Sequence, residues 1–236
     1  MMNNSSTGGN PTAEKIAPYV LLGMTGVTGL VDAVSFLSLG SVFTANMTGN
    51  IVMLAFATAH VSGLSIARSL TSLLSFLVGA IFGGRIMARA GADSQIRFAA
   101  QAFLAEDVFL LAASLCAIGY RRDLLEHSFQ PLALIALTAL AMGIRNAAVR
   151  KLAIPDLTTT VLTLTITGIG ADSSIATGSN PRLARRVEAV VAMFLGAALG
   201  AVIIRFSISA ALWLGTVISA SLSAALFHAL RTPEKL

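Results

Sequence analysis

One acidic side chain, Asp32, lies inside a long apolar run, and between Lys15 and Arg68 no other side chain carries a full charge. A carboxylate in lipid is costly and usually faces a cavity or a partner. In that role Asp32 carries a coupling proton or binds a cation. It serves equally as a helix cap or a helix–helix hydrogen bond, and residue type alone leaves both readings open. Past Gly40-Ser41 the chain gathers Thr44, Asn46, Thr48, Gly49 and Asn50. A polar break between apolar segments must be shielded from lipid. The N–H groups it frees point into the gap and favour negative charge, and Gly49 lets a ligand or another backbone come close. The same Asn and Thr side chains can instead satisfy the loose backbone and cap the next helix.

A second constellation is ionic. Glu106 and Asp107 are adjacent in an apolar run from 98 to 120, where neighbours project ~100° apart. They call for an arginine partner or a relay role. Arg145 and Asn146 close another apolar run. Arg145 has four readings: a pair with Asp32, a pair with Glu106, an anion site, or snorkelling beside Arg150 and Lys151. Thr159, Thr163 and Thr167 share helical spacing, so they form a polar stripe along a path or hide their hydroxyls on i−4 carbonyls. His60, His127 and His228 lack metal-ligand spacing, and no metal or cofactor is expected. No nucleophile elbow, phosphate loop, HExxH or dinucleotide fingerprint is present, so the expectation is not an enzyme.

These residues sit in a chain that is 56% hydrophobic and 11% charged, with a mean hydropathy of +0.82. Soluble domains carry about a quarter charged residues, so the partner of this surface is a lipid bilayer. The pI near 10.1 does not imply nucleic acid. Arg85, Arg89, Arg121, Arg122, Arg150, Lys151, Arg182, Arg185 and Arg186 all end apolar runs, the pattern of positive-inside topology. The single Cys116 excludes an intramolecular disulfide. Residues 1–15 read as a disordered polar tail without the basic and apolar regions of a cleavable signal peptide. Residues 16–122 and 123–230 form two membrane units, and 231–236 a short cytoplasmic tail.

The two units match. Gly79-Ala80-x-x-Gly83 recurs as Gly196-Ala197-x-x-Gly200, 117 positions on, and Gly29-Leu30-Val31-Asp32-Ala33 answers Gly143-Ile144-Arg145-Asn146-Ala147, 114 positions on. If the Thr/Asn-rich segments cross fully, there are eight spans and parallel repeats; if they enter and return, six spans and inverted repeats. Six spans put Lys15, Arg85, Arg89, Arg97, Arg150, Lys151, Arg182, Arg185, Arg186, Arg231 and Lys235 on one side, against Arg68, Arg121, Arg122 and Arg205. Positive charge therefore favours six spans with both termini cytoplasmic.

The stretches VTGLVDAVSFLSLGSVFTANMTGN at 27–50 and MGIRNAAVRKLAIPDLTTTVLT at 142–163 resemble the two signature stretches of the YoaK-like family of bacterial inner-membrane proteins, a domain of unknown function. The resemblance implies a polytopic inner-membrane protein and supplies no substrate. Leu164 departs from it, standing where a glycine counterpart of Gly49 is expected. The reading is an all-α polytopic membrane protein of two inverted repeats, about three transmembrane helices each, with a broken or re-entrant Thr/Asn-rich segment. Its expected function is a small secondary transporter, a proton-coupled exporter of an unknown small organic solute. Asn46, Thr48 and Asn50 would meet Asn146, Thr159 and Thr163 across the pseudo-symmetry axis. The alternative is a membrane-embedded assembly protein whose GAxxG faces bind partners, and a homo-oligomer is open in either case.

Overall fold

The computed structural model describes residues 10–91, 94–125, 128–176 and 178–232. Among these there is no strand. The helices are α1 (Pro11–Ser38), α2 (Met47–Thr58), α3 (Ile66–Met87), α4 (Gln95–Cys116), α5 (Gln130–Leu152), α6 (Thr163–Ala171), α7 (Leu183–Ile203) and α8 (Ile208–Arg231). Six of them are long and apolar enough to cross a membrane. At 1.5 Å per residue, α2 and α6 reach only about 18 and 14 Å, short of a hydrocarbon core of about 30 Å. They cannot add two full spans as helices.

α1 begins earlier than the polar-tail reading allows. The Asn10 side chain accepts from the N–H groups of Thr12 and Ala13, and Pro11 occupies the first turn, where its missing donor costs nothing. The Asn10 amide also donates to the carbonyls of Ala229 (3.1 Å) and Leu230 (3.3 Å), which ties the start of α1 to the end of α8. Residues 10–15 are thus part of the fold, while 1–9 and 233–236 lie outside the described residues. Cys116 is the last residue of α4. α6 is also shorter than its apolar run, so Thr159 is not helical; its φ is +59°.

The bundle is built on two glycine crossings. On α1 and α7, a Cβ at Gly29 would lie 2.2 Å from the Met193 carbonyl oxygen, and one at Gly196 1.9 Å from that of Gly26. On α3 and α5, a Cβ at Gly143 would lie 2.1 Å from the Phe76 oxygen, and one at Gly79 2.1 Å from that of Leu140. The two crossings use the same positions, shifted by 114 on one helix and 117 on the other. Contacts climb together along each pair (Gly79 with Leu140, Gly83 with Ile144), so the paired helices run parallel. Backbone-to-backbone approach of this kind lets apolar helices gain close packing where no water drives them together.

α4 and α8 join the two pairs, α4 packing on α5 and α8 on α1. The helices α1 and α5 are the most enclosed, whereas α3 and α7 turn Leu74, Leu77, Val191, Phe194 and Leu195 outward. The described chain has the apolar perimeter of a multi-pass membrane protein. Valine at Gly29 or Gly143 should therefore lower stability in detergent by about 1–3 kcal/mol or more. Alanine at Gly84, where nothing lies within 4 Å of the added Cβ, should be neutral or gain up to ~0.8 kcal/mol. Thermal melts of the purified variants check both.

Candidate functional site

The first break is closed by side chains from three helices. Asp32 Oδ1 accepts the N–H groups of Thr44 (3.0 Å) and Ala45 (2.9 Å), just ahead of α2. The carboxylate thus stands at the positive end of a short helix, which favours it. Asn50 clamps Phe43: its Oδ1 accepts the Phe43 N–H (2.9 Å) and its Nδ2 donates to the Phe43 carbonyl (2.6 Å) and to Ser72 Oγ (2.9 Å). Ser72 in turn donates to the Phe43 carbonyl at 2.6 Å. The Phe43 ring stacks on Phe36 with centroids 4.9 Å apart, and it fills the space that a Cβ on Gly49 would need.

Several expected contacts are therefore structural. Asn50 is fully buried in the Phe43 clamp, Gly49 receives a protein ring, and Thr48 points outward. Thr44 is buried, with no partner for its hydroxyl.

The second break is held in a parallel manner. Asn146, 114 positions after Asp32, accepts the Thr160 hydroxyl at 2.5 Å and donates to the Met142 carbonyl at 2.8 Å. Thr160 was not anticipated; its place 114 positions after Asn46 was the available signal. Thr159 is buried in a left-handed turn and Thr163 opens α6, so the proposed Thr159–Thr163–Thr167 stripe does not exist as one helical face. Both ties lie about 9 Å short of the end of their long helix, at 1.5 Å per residue.

The breaks share a cavity of about 600 Å³ between α1 and α7. Asp32, Asn46, Thr160 and Thr163 supply its polar lining, and Phe36 and Phe194 are among its apolar walls. Asp32 is its one charged lining residue, and it is half-buried. The rim residues Leu37, Ile166 and Phe194 are exposed on the apolar perimeter.

Arg145 and Glu106 form a separate centre, sealed from solvent. The Arg145 Nε donates to Glu106 Oε2 at 2.9 Å, and its Nη2 donates to Glu106 Oε1. Its Nη1 donates to the Met24 carbonyl (2.7 Å) and to Thr28 Oγ1 (2.9 Å). Ser219 of α8 donates to Asp107 Oδ1 at 2.6 Å. The pair with Asp32, the anion site and the snorkelling position are all excluded for Arg145, because both partners are fully buried and paired with each other. Neither residue lines the cavity.

A third ionic cluster lies at the start of α7, with Asp156 outside the spans. Asp156 accepts from Arg182 Nε (2.6 Å) and Arg186 Nε (2.9 Å). Burial pushes its carboxyl up, but hydrogen bonds and charge from the two arginines together outweigh that and hold it below the ordinary range. His60 and His228 are exposed, and His127 lies outside the described residues. No group of three His, Cys, Asp or Glu side chains gathers among the described residues.

Residues 20–225 match the family model described as "Protein of unknown function (DUF1275)". The chain belongs to that family. It is also 37% identical over 146 residues to the "UPF0700 transmembrane protein YoaK" of Bacillus subtilis (strain 168), a match spanning 62% of each chain. No solved structure matches. The YoaK-like resemblance of the two signature stretches is thus a family membership, and the chain is a multi-pass membrane protein of that family.

Two outcomes follow from the ionic centres. Glu106→Leu or Arg145→Met alone should each cost about 3–5 kcal/mol by stranding a buried charge, while the double variant should be more stable than either. Denaturation of all four proteins in mixed micelles measures this. For Asp156, a depressed folded pKa adds stability that is complete above the unfolded value of about 3.9 and fades as pH falls through the folded one. The melting-temperature gap between wild type and Asp156→Asn should therefore hold from pH 5 to 7 and narrow below about pH 4.

Proposed function

We propose that this protein is a small secondary transporter of the bacterial inner membrane, a proton-coupled exporter of a small organic solute working through Asp32. The observation that carries the reading is the shared cavity: polar groups from two separate breaks face one space, beside a carboxylate with no cationic neighbour in the lining. Solute sites formed where helices are interrupted near the bilayer middle are the pattern of such carriers.

The proposed scaffold is two inverted repeats with six spans and both termini cytoplasmic. Its support is directional. α1 runs parallel to α7, and Gly23 against Leu222 with Leu30 against Gly215 makes it antiparallel to α8. Ser114 of α4 meets Thr216 of α8 at 2.8 Å, while Asp107 meets Ser219, so these two are antiparallel as well. The Tyr120 hydroxyl donates to the Ser38 carbonyl at 2.9 Å, and Gln130 donates to the Cys116 carbonyl at 2.7 Å. These ties put the end of α1, the end of α4 and the start of α5 at one end of the bundle. α1 and α5 thus run in opposite senses. In this frame α2 and α6 are re-entrant half-helices entering from opposite sides, and alternating access rocks one repeat against the other.

The substrate contacts in this reading are Asp32, Asn46, Thr160 and Thr163. An assembly role through the GAxxG faces has less support, because Gly79, Gly83, Gly196 and Gly200 are spent on contacts within the chain.

Proteoliposomes test the function. A pH gradient should drive solute flux in wild type, and Asp32→Asn should reduce that flux to the protein-free level. Topology is tested separately on a Cys116→Ala background. An impermeant thiol reagent on intact cells should label Ser62→Cys and Arg122→Cys and spare Arg97→Cys; the opposite pattern would overturn six spans with cytoplasmic termini.

A further inference from the structure

We propose that the cavity between α1 and α7 takes an amphipathic organic cation, with its charge beside Asp32 and its apolar body against the walls. The inference rests on the transporter reading above and names the substrate class of that site. Three observations on different properties point to the same chemistry.

The first is the sign of the charge. Asp32 is the cavity's one charged lining residue, and no Lys, Arg or His shares the lining. A helix start would normally attract an anion. Here the N–H groups of Thr44 and Ala45 ahead of α2 are already taken by Asp32 Oδ1. An incoming anion would meet the Asp32 carboxylate there.

The second is size and surface. About 600 Å³ falls within the range that holds a drug-sized molecule, and it is far more than a dehydrated metal ion fills. Phe36, Phe43, Leu162, Ile166, Met193 and Phe194 give carbon walls and aromatic faces, which suit the body of an amphipathic cation and its charge alike. A divalent ion instead demands several oxygen ligands, more than one carboxylate and a few hydroxyl and amide groups supply.

The third is the entrance. Leu37, Ile166 and Phe194 are exposed on the apolar perimeter beside the cavity. A solute already partitioned into the bilayer can reach Asp32 between α1 and α6–α7 without crossing a polar mouth. A strictly hydrophilic solute would find carbon at that rim.

Equilibrium binding to the purified protein in nanodiscs tests this, with tetraphenylphosphonium as probe and tetraphenylborate as the same shape of opposite charge. Saturable binding of the phosphonium and none of the borate is expected. Asp32→Asn should weaken phosphonium binding by about tenfold or more. Ala201→Phe, which fills the cavity and leaves Asp32 in place, should abolish it, whereas Leu77→Phe on the outer face of α3 should not. If Asp32→Asn fails to fold, the Ala201→Phe and Leu77→Phe pair decides. Equal binding of the borate, or wild-type affinity in Ala201→Phe, would overturn the assignment. The two readings fail separately. Binding as expected with no cation flux in proteoliposomes removes transport and keeps the site. Flux of a neutral or anionic solute that depends on Asp32, with no phosphonium binding, keeps transport and removes the cation.

Discussion

An unwound segment inside hydrocarbon has no water to satisfy its backbone, and each unpaired N–H or C=O there costs several kcal/mol. Much of this structure answers that constraint. Asp32 takes two N–H groups of the first break, and Asn50 and Ser72 together take both backbone groups of Phe43. Asn146 and Thr160 tie down the second break. The polar residues that look like a substrate site in the sequence are therefore divided between two tasks. Asn50 only holds its break and Asn46 and Thr163 line the cavity, while Asp32 and Thr160 do both.

Close helix approach is what makes room for the breaks. Crossings in which a Cβ would fall about 2 Å from a carbonyl oxygen bring α1 onto α7 and α3 onto α5. With the paired backbones that near, α2 packs on α3 and α6 on α7, and the loops ahead of them reach Asp32 and Asn146. The matching offsets at both crossings mean that one geometric solution is used twice. The ionic groups are not used twice. At the same offset of 114, Val31 answers Arg145 and Asp32 answers Asn146. One carboxylate is left beside the cavity, and one ion pair is sealed elsewhere.

The sealed pair has a different character from Asp32. Arg145 reaches a carboxylate on α4 and a carbonyl and hydroxyl on α1, while the adjacent Asp107 bonds to α8. Four helices thus meet at one buried charge network. Such a network adds little net stability over apolar packing, but it penalises any arrangement that separates its members. Here it fixes how the two glycine-crossed pairs dock, through the α4 and α8 helices that join them.

Composition and the ends of the apolar runs were enough to read a polytopic helical membrane protein, because burial in lipid leaves a one-dimensional signature of length and charge. The glycine match at offsets of 114 and 117 was equally visible, since Gly29 and Gly143 or Gly79 and Gly196 must be glycine where two backbones touch. Helix ends were less legible: the Asn10 cap depends on carbonyls of α8, over two hundred residues away. The roles of the polar residues were not legible. Asn50 and Asn46 are the same residue type four positions apart, yet one clamps Phe43 and the other lines the cavity. Arg145 had four chemically sensible readings in sequence, and the crossing of α4, α5 and α1 selected the pair with Glu106. Residue type sets which hydrogen bonds and charges a side chain can offer; only the packing of distant helices decides which backbone group, ion or empty space lies within 3 Å to receive them.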